Sequence, residues 1–218
     1  MKNLENPRRG LFITFEGPEG SGKTSQINML GEYFKAMGLE VVLTREPGGT
    51  PLAEKIRNVV KQHCDENESV HPGTELLLIE AARFQHVSEV IAPALKSGKA
   101  VLCDRFFDST TAYQGGARGI DNGVIHSLNA FAAGDCLPDL TILLDLPPEV
   151  GFERAGRRKE TQGEYDRFEQ EDLDFHRQVR KSFLELAAKH PERIKVVDAD
   201  RPREEIQMEI RKYVHALV

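Results

Sequence analysis

Eight residues near the N-terminus have the types and spacing of a phosphate-binding loop. They match G-x-x-x-x-G-K-[ST] at every fixed position, and they are Gly17, Pro18, Glu19, Gly20, Ser21, Gly22, Lys23 and Thr24. The glycines let backbone N–H groups approach a polyphosphate closely, and the positive end of a following helix adds to the attraction. In such a loop Lys23 reaches the β- and γ-phosphates, and the hydroxyl of Thr24 binds Mg²⁺. The spacing therefore predicts a site for a nucleoside triphosphate.

The residues on either side of this loop favour the strand and the helix that its mechanism requires. Leu11 to Phe15 is a short apolar run typical of a buried strand. Ser25 to Lys35 carries apolar residues at helical spacing and no proline. An ordinary glycine-rich turn with an accidental lysine needs neither neighbour. We therefore expect the loop to join a strand to a helix.

Apolar strands alternate with helical segments along the rest of the chain. Further strands are predicted at Glu40 to Thr44, Ala100 to Cys103, Leu140 to Leu146 and Ile194 to Val197. Helices are predicted at Leu52 to Val60, Thr74 to Lys96 with Pro93 bending its end, Val124 to Ala133, Leu173 to Ala188 and Arg203 to Leu217. No regular element is assigned to Ser109 to Gly119, which is rich in glycine toward its end.

This alternation predicts an α/β protein with a five-stranded parallel sheet covered by helices on both faces. It is the three-layer arrangement of the P-loop NTPase fold, in which ligands bind at the carboxyl ends of the strands. We expect a flexible N-terminal segment over residues 1–10 and a single domain over residues 11–218.

Two aspartates end predicted strands, and either is a candidate ligand of Mg²⁺. Asp104 is followed by Arg105, so the pair offers metal and phosphate contacts within one turn. Asp145 is the alternative, although an aspartate before Pro147-Pro148 also suits the cap of the next helix. We favour Asp104, and a local ion pair between Asp104 and Arg105 stays open as a second interpretation.

A basic stretch follows the fourth predicted strand. It holds Arg154, Arg157, Arg158, Lys159 and Arg167. Such a run is usually a solvated face. Phosphoryl transfer, however, needs cations on the migrating group, and the phosphate loop supplies only Lys23. A small arginine-rich lid over approximately residues 154–168 is therefore the alternative, since a closing lid brings a further arginine to the site.

Composition argues against several classes of partner. The 218 residues carry a formal net charge of −6, whereas a protein that coats a nucleic acid polymer needs a basic surface. No apolar run approaches the roughly 20 residues needed to span a membrane, and Met1 to Arg9 lacks the apolar region of a signal peptide. Cys64, Cys103 and Cys136 are widely spaced, without a zinc motif. We expect a cytoplasmic protein with reduced thiols and with neither nucleic acid polymer nor membrane as partner.

The motifs that are missing narrow the reaction. A GTPase is expected to carry an N-K-x-D motif, which the sequence lacks. If the acceptor is itself a phosphate, its attacking oxygen is already ionised near neutral pH, because the second pKa of a phosphate ester is about 6. No general base is then needed. We therefore expect His71, His86 and His176 to lie on the surface or to face helices, without a catalytic role.

Three segments together closely resemble the bacterial thymidylate kinase family. They are Phe15 to Thr24, Thr44 to Thr50, and Asp104-Arg105-Phe106 with Ser109, Tyr113 to Gly116 and Arg118-Gly119. The resemblance extends, in order and with the spacing of the family, from about Leu11 to the C-terminus. It implies transfer of the γ-phosphoryl group of ATP to dTMP with Mg²⁺, usually by a homodimer.

The resemblance also implies roles for individual residues. Arg105 and Arg57 grip the phosphate of dTMP, and Arg83 bonds the edge of the thymine. Glu19 and Tyr113 lie near the deoxyribose, where a 2′-hydroxyl is excluded. The implied dTMP contacts are Glu19, Arg45, Arg57, Ile79, Arg83, Arg105, Ser109, Thr110, Tyr113 and Gln114, the residues at 110 and 114 facing the base. The implied metal ligands are Thr24 and Asp104.

An acid at position 19, rather than an arginine, resembles the family type whose catalytic arginine comes from the lid. Arg158 is the best match for that arginine, and Arg154 is the second. The lid is longer than usual by Thr161-Gln162-Gly163. The implied catalytic residues are thus Lys23, Arg105 and Arg158.

One position departs from the family pattern. The phenylalanine that stacks on thymine falls at Ile79, which covers a base by apolar contact but lacks aromatic stacking. Weaker dTMP affinity, or a nucleoside monophosphate kinase of broader or different base preference, is therefore an open alternative. A non-catalytic nucleotide-binding regulator is a further alternative, which the presence of the acceptor-site residues disfavours.

Overall fold

The structure is a computed structural model that describes residues 9–62, 68–154, 167–168 and 170–217. Five strands form one parallel sheet in the order β2-β3-β1-β4-β5. The strands are β1 Phe12–Glu16, β2 Val41–Arg45, β3 Ala100–Asp104, β4 Leu140–Asp145 and β5 Ile194–Asp198. All five predicted strands are confirmed, with ends that agree to about one residue.

The predicted helices are also present. The α-helices are α1 Lys23–Ala36, α2 Pro51–Lys61, α3 Pro72–His86, α4 Ala92–Lys96, α5 Phe107–Thr110, α6 Asn122–Ala133, α7 at residues 148–154, α8 Leu173–Lys189 and α9 Arg203–His215. None of the helices in the described part of the chain has the length and apolar content needed to cross a bilayer.

Successive strand residues point to opposite faces of the sheet, and helices cover both faces. On one face Ile13 and Phe15 pack in a core with Leu30 of α1 and Ile210 of α9. On the other face Phe12 packs with residues from the α3–α4 region, and Leu143 packs against α8. The result is the predicted three-layer fold, with the loops that follow β1, β2 and β3 at one edge of the sheet.

The long helix predicted from Thr74 to Lys96 is continuous but not uniform. α3 passes into a π-helical turn, Val87–Ile91, before α4 begins. Pro93 lies in the first turn of α4 and has no N–H to donate. The wider turn accompanies that missing backbone hydrogen bond.

The segment from Ser109 to Gly119 is more regular than its glycines suggest. α5 is followed by a π-helical segment, Thr111–Ala117. Ala112 and Tyr113 of this segment are buried against Val179 and Phe183 of α8. Tertiary packing therefore stabilises a helical conformation here despite the low helix propensity of glycine.

Candidate active site

The phosphate loop joins β1 to α1, as the sequence predicts. Gly17 and Gly20 have positive φ angles of 136° and 75°. A β-carbon on Gly17 would lie 2.3 Å from the carbonyl oxygen of Leu144, and one on Gly20 would lie 2.6 Å from that of Gly151. Both the backbone angle and the lack of space therefore require glycine at these positions.

The Lys23 side chain is buried at the start of α1, over the loop. Its Nζ donates to the carbonyl oxygens of Gly17 at 3.1 Å and Pro18 at 3.0 Å, and to Ser21 Oγ at 3.4 Å. Burial, together with the neighbouring Arg105, lowers the pKa of this ammonium below its ordinary value. A negatively charged ligand offsets that penalty, so the site favours anions.

The predicted metal ligands lie side by side. The Thr24 hydroxyl donates to Asp104 Oδ2 at 2.8 Å. The two residues meet because β1 pairs with β3, with Phe15 opposite Asp104. Asp145 is the alternative ligand that the sequence disfavours. Its carboxylate accepts two hydrogen bonds from Arg180 of α8, at 2.7 and 2.8 Å, and so serves an ion pair instead of a helix cap.

Arg105 follows β3 and turns toward the phosphate loop. Its φ angle of 70° is unusual for a residue with a side chain. Its Nη2 donates to Glu19 Oε1 at 2.6 Å and to the Tyr113 hydroxyl at 3.2 Å. Burial raises the pKa of Glu19, but Arg105 and Lys23 outweigh burial and hold that pKa below its ordinary value. A local ion pair between Asp104 and Arg105 is not what forms, since Arg105 is paired with Glu19.

Glu16 supports this turn, although the sequence did not single it out. It is fully buried, and its carboxylate accepts from the Phe106 N–H at 2.8 Å, the Ser109 N–H at 3.2 Å and the Ser109 hydroxyl at 2.5 Å. Burial, with a contribution from Asp108, raises the pKa of Glu16 to about 7. The acid that precedes the phosphate loop thus fixes the backbone that carries Arg105.

Two predicted dTMP contacts lie around the loop after β2, and one of them, Arg57, is a predicted phosphate contact. Arg57 of α2 donates to the Pro47 carbonyl oxygen at 2.8 Å. Arg45 donates to Glu54 Oε2 at 3.0 Å, and the other oxygen of Glu54 accepts from Gly49 N–H. Both arginines line the same cavity as Lys23 and Arg105.

Arg83 is almost completely buried in a network of acids and amides. It donates to Glu46 at 2.7 Å, Glu80 at 2.6 Å, Asn129 at 2.9 Å and Thr110 at 2.9 Å. Glu80 is one turn before Arg83 on α3, but the other three partners lie on separate segments, so the sequence did not indicate them. Arg83 nevertheless lines the cavity, as does Thr110.

The remaining predicted acceptor-site residues also border the cavity. Ile79 lies on the same helix as Arg83 and is 8% exposed. Tyr113 packs edge-on against Phe168, Phe175 and Phe183, and Ser109 and Gln114 lie on the same segment. The structure thus brings every predicted dTMP contact to one cavity.

The expectation for the histidines is wrong in part. His71 caps α3, where its Nδ1 accepts from the Gly73 N–H. His86 is fully buried, with Nε2 at 2.6 Å from Thr44 Oγ1 and Nδ1 at 3.0 Å from Glu46 Oε1. His176 is also buried and contacts the Phe168 carbonyl oxygen. His86 therefore fixes the loop after β2 from inside the protein.

The basic stretch is only partly within the described residues. Arg154 lines the cavity and donates to the Ala199 carbonyl oxygen at 3.0 Å and to Asp200 at 2.7 Å. Arg167 turns inward and donates to Glu75 at 2.6 Å. Arg157, Arg158 and Lys159 lie outside the described residues, as does Cys64.

These residues enclose a cavity of about 790 Å³. Its lining combines the phosphate loop, the cations Lys23, Arg45, Arg57 and Arg105, and apolar side chains such as Ile79. Its volume is typical of small-molecule sites. The arrangement suits phosphorylated ligands that also carry an apolar ring.

The fold and this loop define a P-loop nucleotide-binding protein, and sequence comparison identifies the particular family. The family model described as Thymidylate kinase matches residues 15–210. The thymidylate kinase of Pelobacter propionicus is 54% identical over 199 residues, which cover 90% of this chain and 90% of that relative. That of Pseudomonas fluorescens is 52% identical over 201 residues, 92% of this chain and 93% of the relative.

A solved structure agrees with the sequence comparison. The crystal structure of thymidylate kinase from Ehrlichia chaffeensis matches with a TM-score of 0.75 at 36% identity, over 95% of this chain and 99% of that chain. The chain therefore belongs to the thymidylate kinase family and is a phosphotransferase. The comparisons favour this function over that of a monophosphate kinase with another base preference.

Proposed function

We propose that the chain transfers the γ-phosphoryl group of ATP to dTMP, giving ADP and dTDP. The observation that carries this proposal is the position of Arg105, whose Nη1 lies 3.0 Å from the Gly17 carbonyl oxygen of the phosphate loop. This distance supports the proposal that a phosphate ester bound to Arg105 lies next to the γ-phosphate of a nucleotide bound in the loop. Two phosphate groups held next to each other need little further movement to react.

The proposed roles follow from charge. Lys23 and the loop N–H groups neutralise the transferring phosphoryl group, while Arg105 and Arg57 hold the phosphate of dTMP. The acceptor oxygen is already ionised, so no side chain has to remove a proton. We keep Arg158 as the proposed additional arginine of the transition state.

We propose Mg²⁺ as the cofactor, held by Thr24 and Asp104. Their oxygens lie 2.8 Å apart beside Lys23. The described residues contain no group of three or more His, Cys, Asp or Glu side chains arranged to hold a metal. That fits Mg²⁺, which is commonly bound through one or two protein ligands, substrate phosphates and waters. When bound, the ion neutralises the phosphate oxygens and orients them.

We propose a homodimer that associates through the exposed apolar side chains of α3 and α6. Phe131 is 72% exposed, and its ring stacks on Phe84 at 5.2 Å between centroids. Leu77 and Val124 are also exposed on these two helices, and such adjacent apolar side chains mark interaction surfaces. A cytoplasmic location is part of the proposal, supported by the buried free thiols of Cys103 and Cys136.

A panel of acceptors tests the reaction. The purified chain is assayed for ADP formation with ATP and Mg²⁺ and with dTMP, dUMP, UMP, CMP or AMP. We expect the highest kcat/KM with dTMP, by about tenfold or more over CMP and AMP. Absence of ADP formation with every monophosphate would overturn the proposal, and the Lys23→Ala variant is the control for contaminating kinases.

A further inference from the structure

Glu75 is a fully buried acid at which several side chains near the cavity meet. It lies in the first turn of α3. Its Oε1 accepts from Gln114 Nε2 at 2.7 Å and Arg118 Nε at 3.3 Å, and its Oε2 accepts from Arg118 Nη2 at 3.2 Å and Arg167 Nη2 at 2.6 Å. All four contacts are donors directed at its two oxygens, so both oxygens of Glu75 act as acceptors.

This contact fixes which way the Gln114 amide points. Gln114 is 1% exposed and lines the cavity. An amide has one donor end and one acceptor end, and only the donor end suits a carboxylate. Because Nε2 donates to Glu75, the carbonyl oxygen is the end of the amide turned away from Glu75, and no side chain among the described residues donates to it.

Arg83 contributes a hydrogen-bond donor to the same cavity, whereas the Gln114 carbonyl oxygen is an acceptor. A guanidinium has five N–H donors. Four of them bond Glu46, Glu80, Asn129 and Thr110 within the described structure. The remaining N–H is on Nη2, and it is the donor that Arg83 has left for a ligand.

A donor from Arg83 and an acceptor from Gln114 together distinguish thymine and uracil from cytosine. Thymine and uracil present the O4 acceptor beside the N3–H donor, which complements Arg83 and the Gln114 carbonyl oxygen. Cytosine presents an amino donor at position 4 and an acceptor at N3, so both of its groups are mismatched. A site whose buried polar groups are left unpaired rejects the wrong ligand strongly.

We propose that Glu75 is a positioning residue for base selection, which locks the Gln114 amide with its carbonyl oxygen toward the base and so excludes cytosine. The inference rests on the proposed function, because it assumes that the base of the acceptor lies between Arg83 and Gln114. Glu75 itself does not touch the base. Its effect passes through the orientation of one amide.

The test is the ratio of kcat/KM for dTMP to kcat/KM for dCMP. In Glu75→Gln the new amide both donates and accepts, so Gln114 is free to rotate. We expect the ratio to fall about tenfold or more, through a higher KM for dTMP and new activity on dCMP, with kcat for dTMP nearly unchanged. Gln114→Leu should lower the ratio similarly, and the double variant should lower it no further.

Two controls separate selection from general support of the fold. Arg167→Gln removes one ion pair from Glu75 but leaves the Gln114 contact, so the ratio should stay within about twofold of wild type. Glu75→Asp keeps a group that only accepts, so it should retain most of the preference. Thermal melting shows which variants fold.

An unchanged ratio in folded Glu75→Gln would overturn the inference. If that variant does not fold, an unchanged ratio in Gln114→Leu, or a ratio in Glu75→Asp as low as in Gln114→Leu, does the same. A wild-type chain without preference for dTMP would instead reject the proposed function.

Discussion

The Nη2 atom of Arg105 lies 2.6 Å from Glu19 Oε1, so the arginine that follows β3 is ion-paired with the acid inside the phosphate loop. The same guanidinium donates to Ser109 Oγ at 3.1 Å and lies over the Tyr113 ring. The protein thus holds Arg105 in position before any phosphate is bound. Such preorganisation reduces the rearrangement needed on binding.

Replacing Arg105 by lysine should remove most of this advantage. Lysine has three donors and no planar fork, so it cannot replace the four hydrogen bonds that Arg105 donates to Gly17, Ser109, Glu19 and Tyr113. We expect kcat/KM for dTMP in Arg105→Lys to fall about 10²-fold to 10³-fold, measured by ADP formation. Arg203→Lys, at the exposed start of α9, is the matched control and should keep wild-type values. A wild-type kcat/KM in Arg105→Lys would contradict the role of Arg105.

Removal of the loop lysine should act mainly on turnover. Lys23 is the cation that the loop contributes to the transferring phosphoryl group, so Lys23→Ala should lower kcat about 10³-fold, or about 4 kcal/mol of transition-state stabilisation. Steady-state assays at saturating ATP and dTMP measure this. Lys35→Ala, at the exposed end of the same helix, should leave kcat unchanged. Normal turnover in Lys23→Ala would rule out the assigned loop mechanism.

Introducing an aromatic ring at position 79 should strengthen dTMP binding. Ile79 borders the cavity on the same helix as Arg83, and a phenylalanine there adds stacking worth about 1 kcal/mol. We expect the KM for dTMP in Ile79→Phe to fall about fivefold while kcat changes little. Met208→Phe, at an exposed position of α9, is the control. The idea fails if Ile79→Phe leaves the KM for dTMP where it was.

The buried Glu16 should make stability depend on pH. Its pKa is about 7 in the folded protein, against an ordinary value of 4.5. Between these values the folded state keeps a proton that the unfolded chain has released. The free energy of unfolding should therefore decrease as pH rises from 4.5 to about 7, by up to about 3 kcal/mol from this group.

The comparison of wild type with Glu16→Gln isolates this contribution. Urea unfolding at several pH values across that window gives the free energy of unfolding of both proteins. Other titrating groups largely cancel in the difference. The difference, wild type minus variant, should decline with rising pH and level off above about pH 7. A flat or rising difference would show that burial does not raise the pKa of Glu16.

A charge on the apolar surface of α6 should prevent association. Phe131→Glu puts a carboxylate at the most exposed of the stacked rings, and burying it in an interface is costly. We expect a dimer mass for wild type and a monomer mass for the variant by light scattering after gel filtration. Met208→Glu, at an exposed position of α9, should leave the mass unchanged. A monomeric wild type would refute the proposed assembly.

The strands and the phosphate loop were predictable because each depends on local sequence, whereas the contact between Thr24 and Asp104, 80 residues apart, also depends on the order of strands in the sheet. Short apolar runs determine strands, and a fixed spacing determines the loop. The parallel sheet then brings the ends of β1 and β3 together. The phosphate loop and the strand ends could thus be predicted from patterns within about ten residues.

The buried acids were not predictable in the same way. Glu16 bonds Phe106, which is 90 residues away, and Glu75 bonds Gln114, which is 39 residues away. Acids are usually exposed, so nothing local distinguishes these from surface residues. His86 was misjudged for the same reason, since its partners Thr44 and Glu46 lie on another segment. Only the folded chain shows which polar residues share a partner.

Gly20 and Gly151 touch backbone to backbone. A β-carbon on Gly20 would lie 2.6 Å from the Gly151 carbonyl oxygen, and one on Gly151 would lie 2.5 Å from the Glu19 carbonyl oxygen. The sequence motif of the phosphate loop includes Gly20 but does not include Gly151, which lies on α7. Saturation mutagenesis of α7 should therefore find that Gly151, which has no side chain, tolerates substitution least.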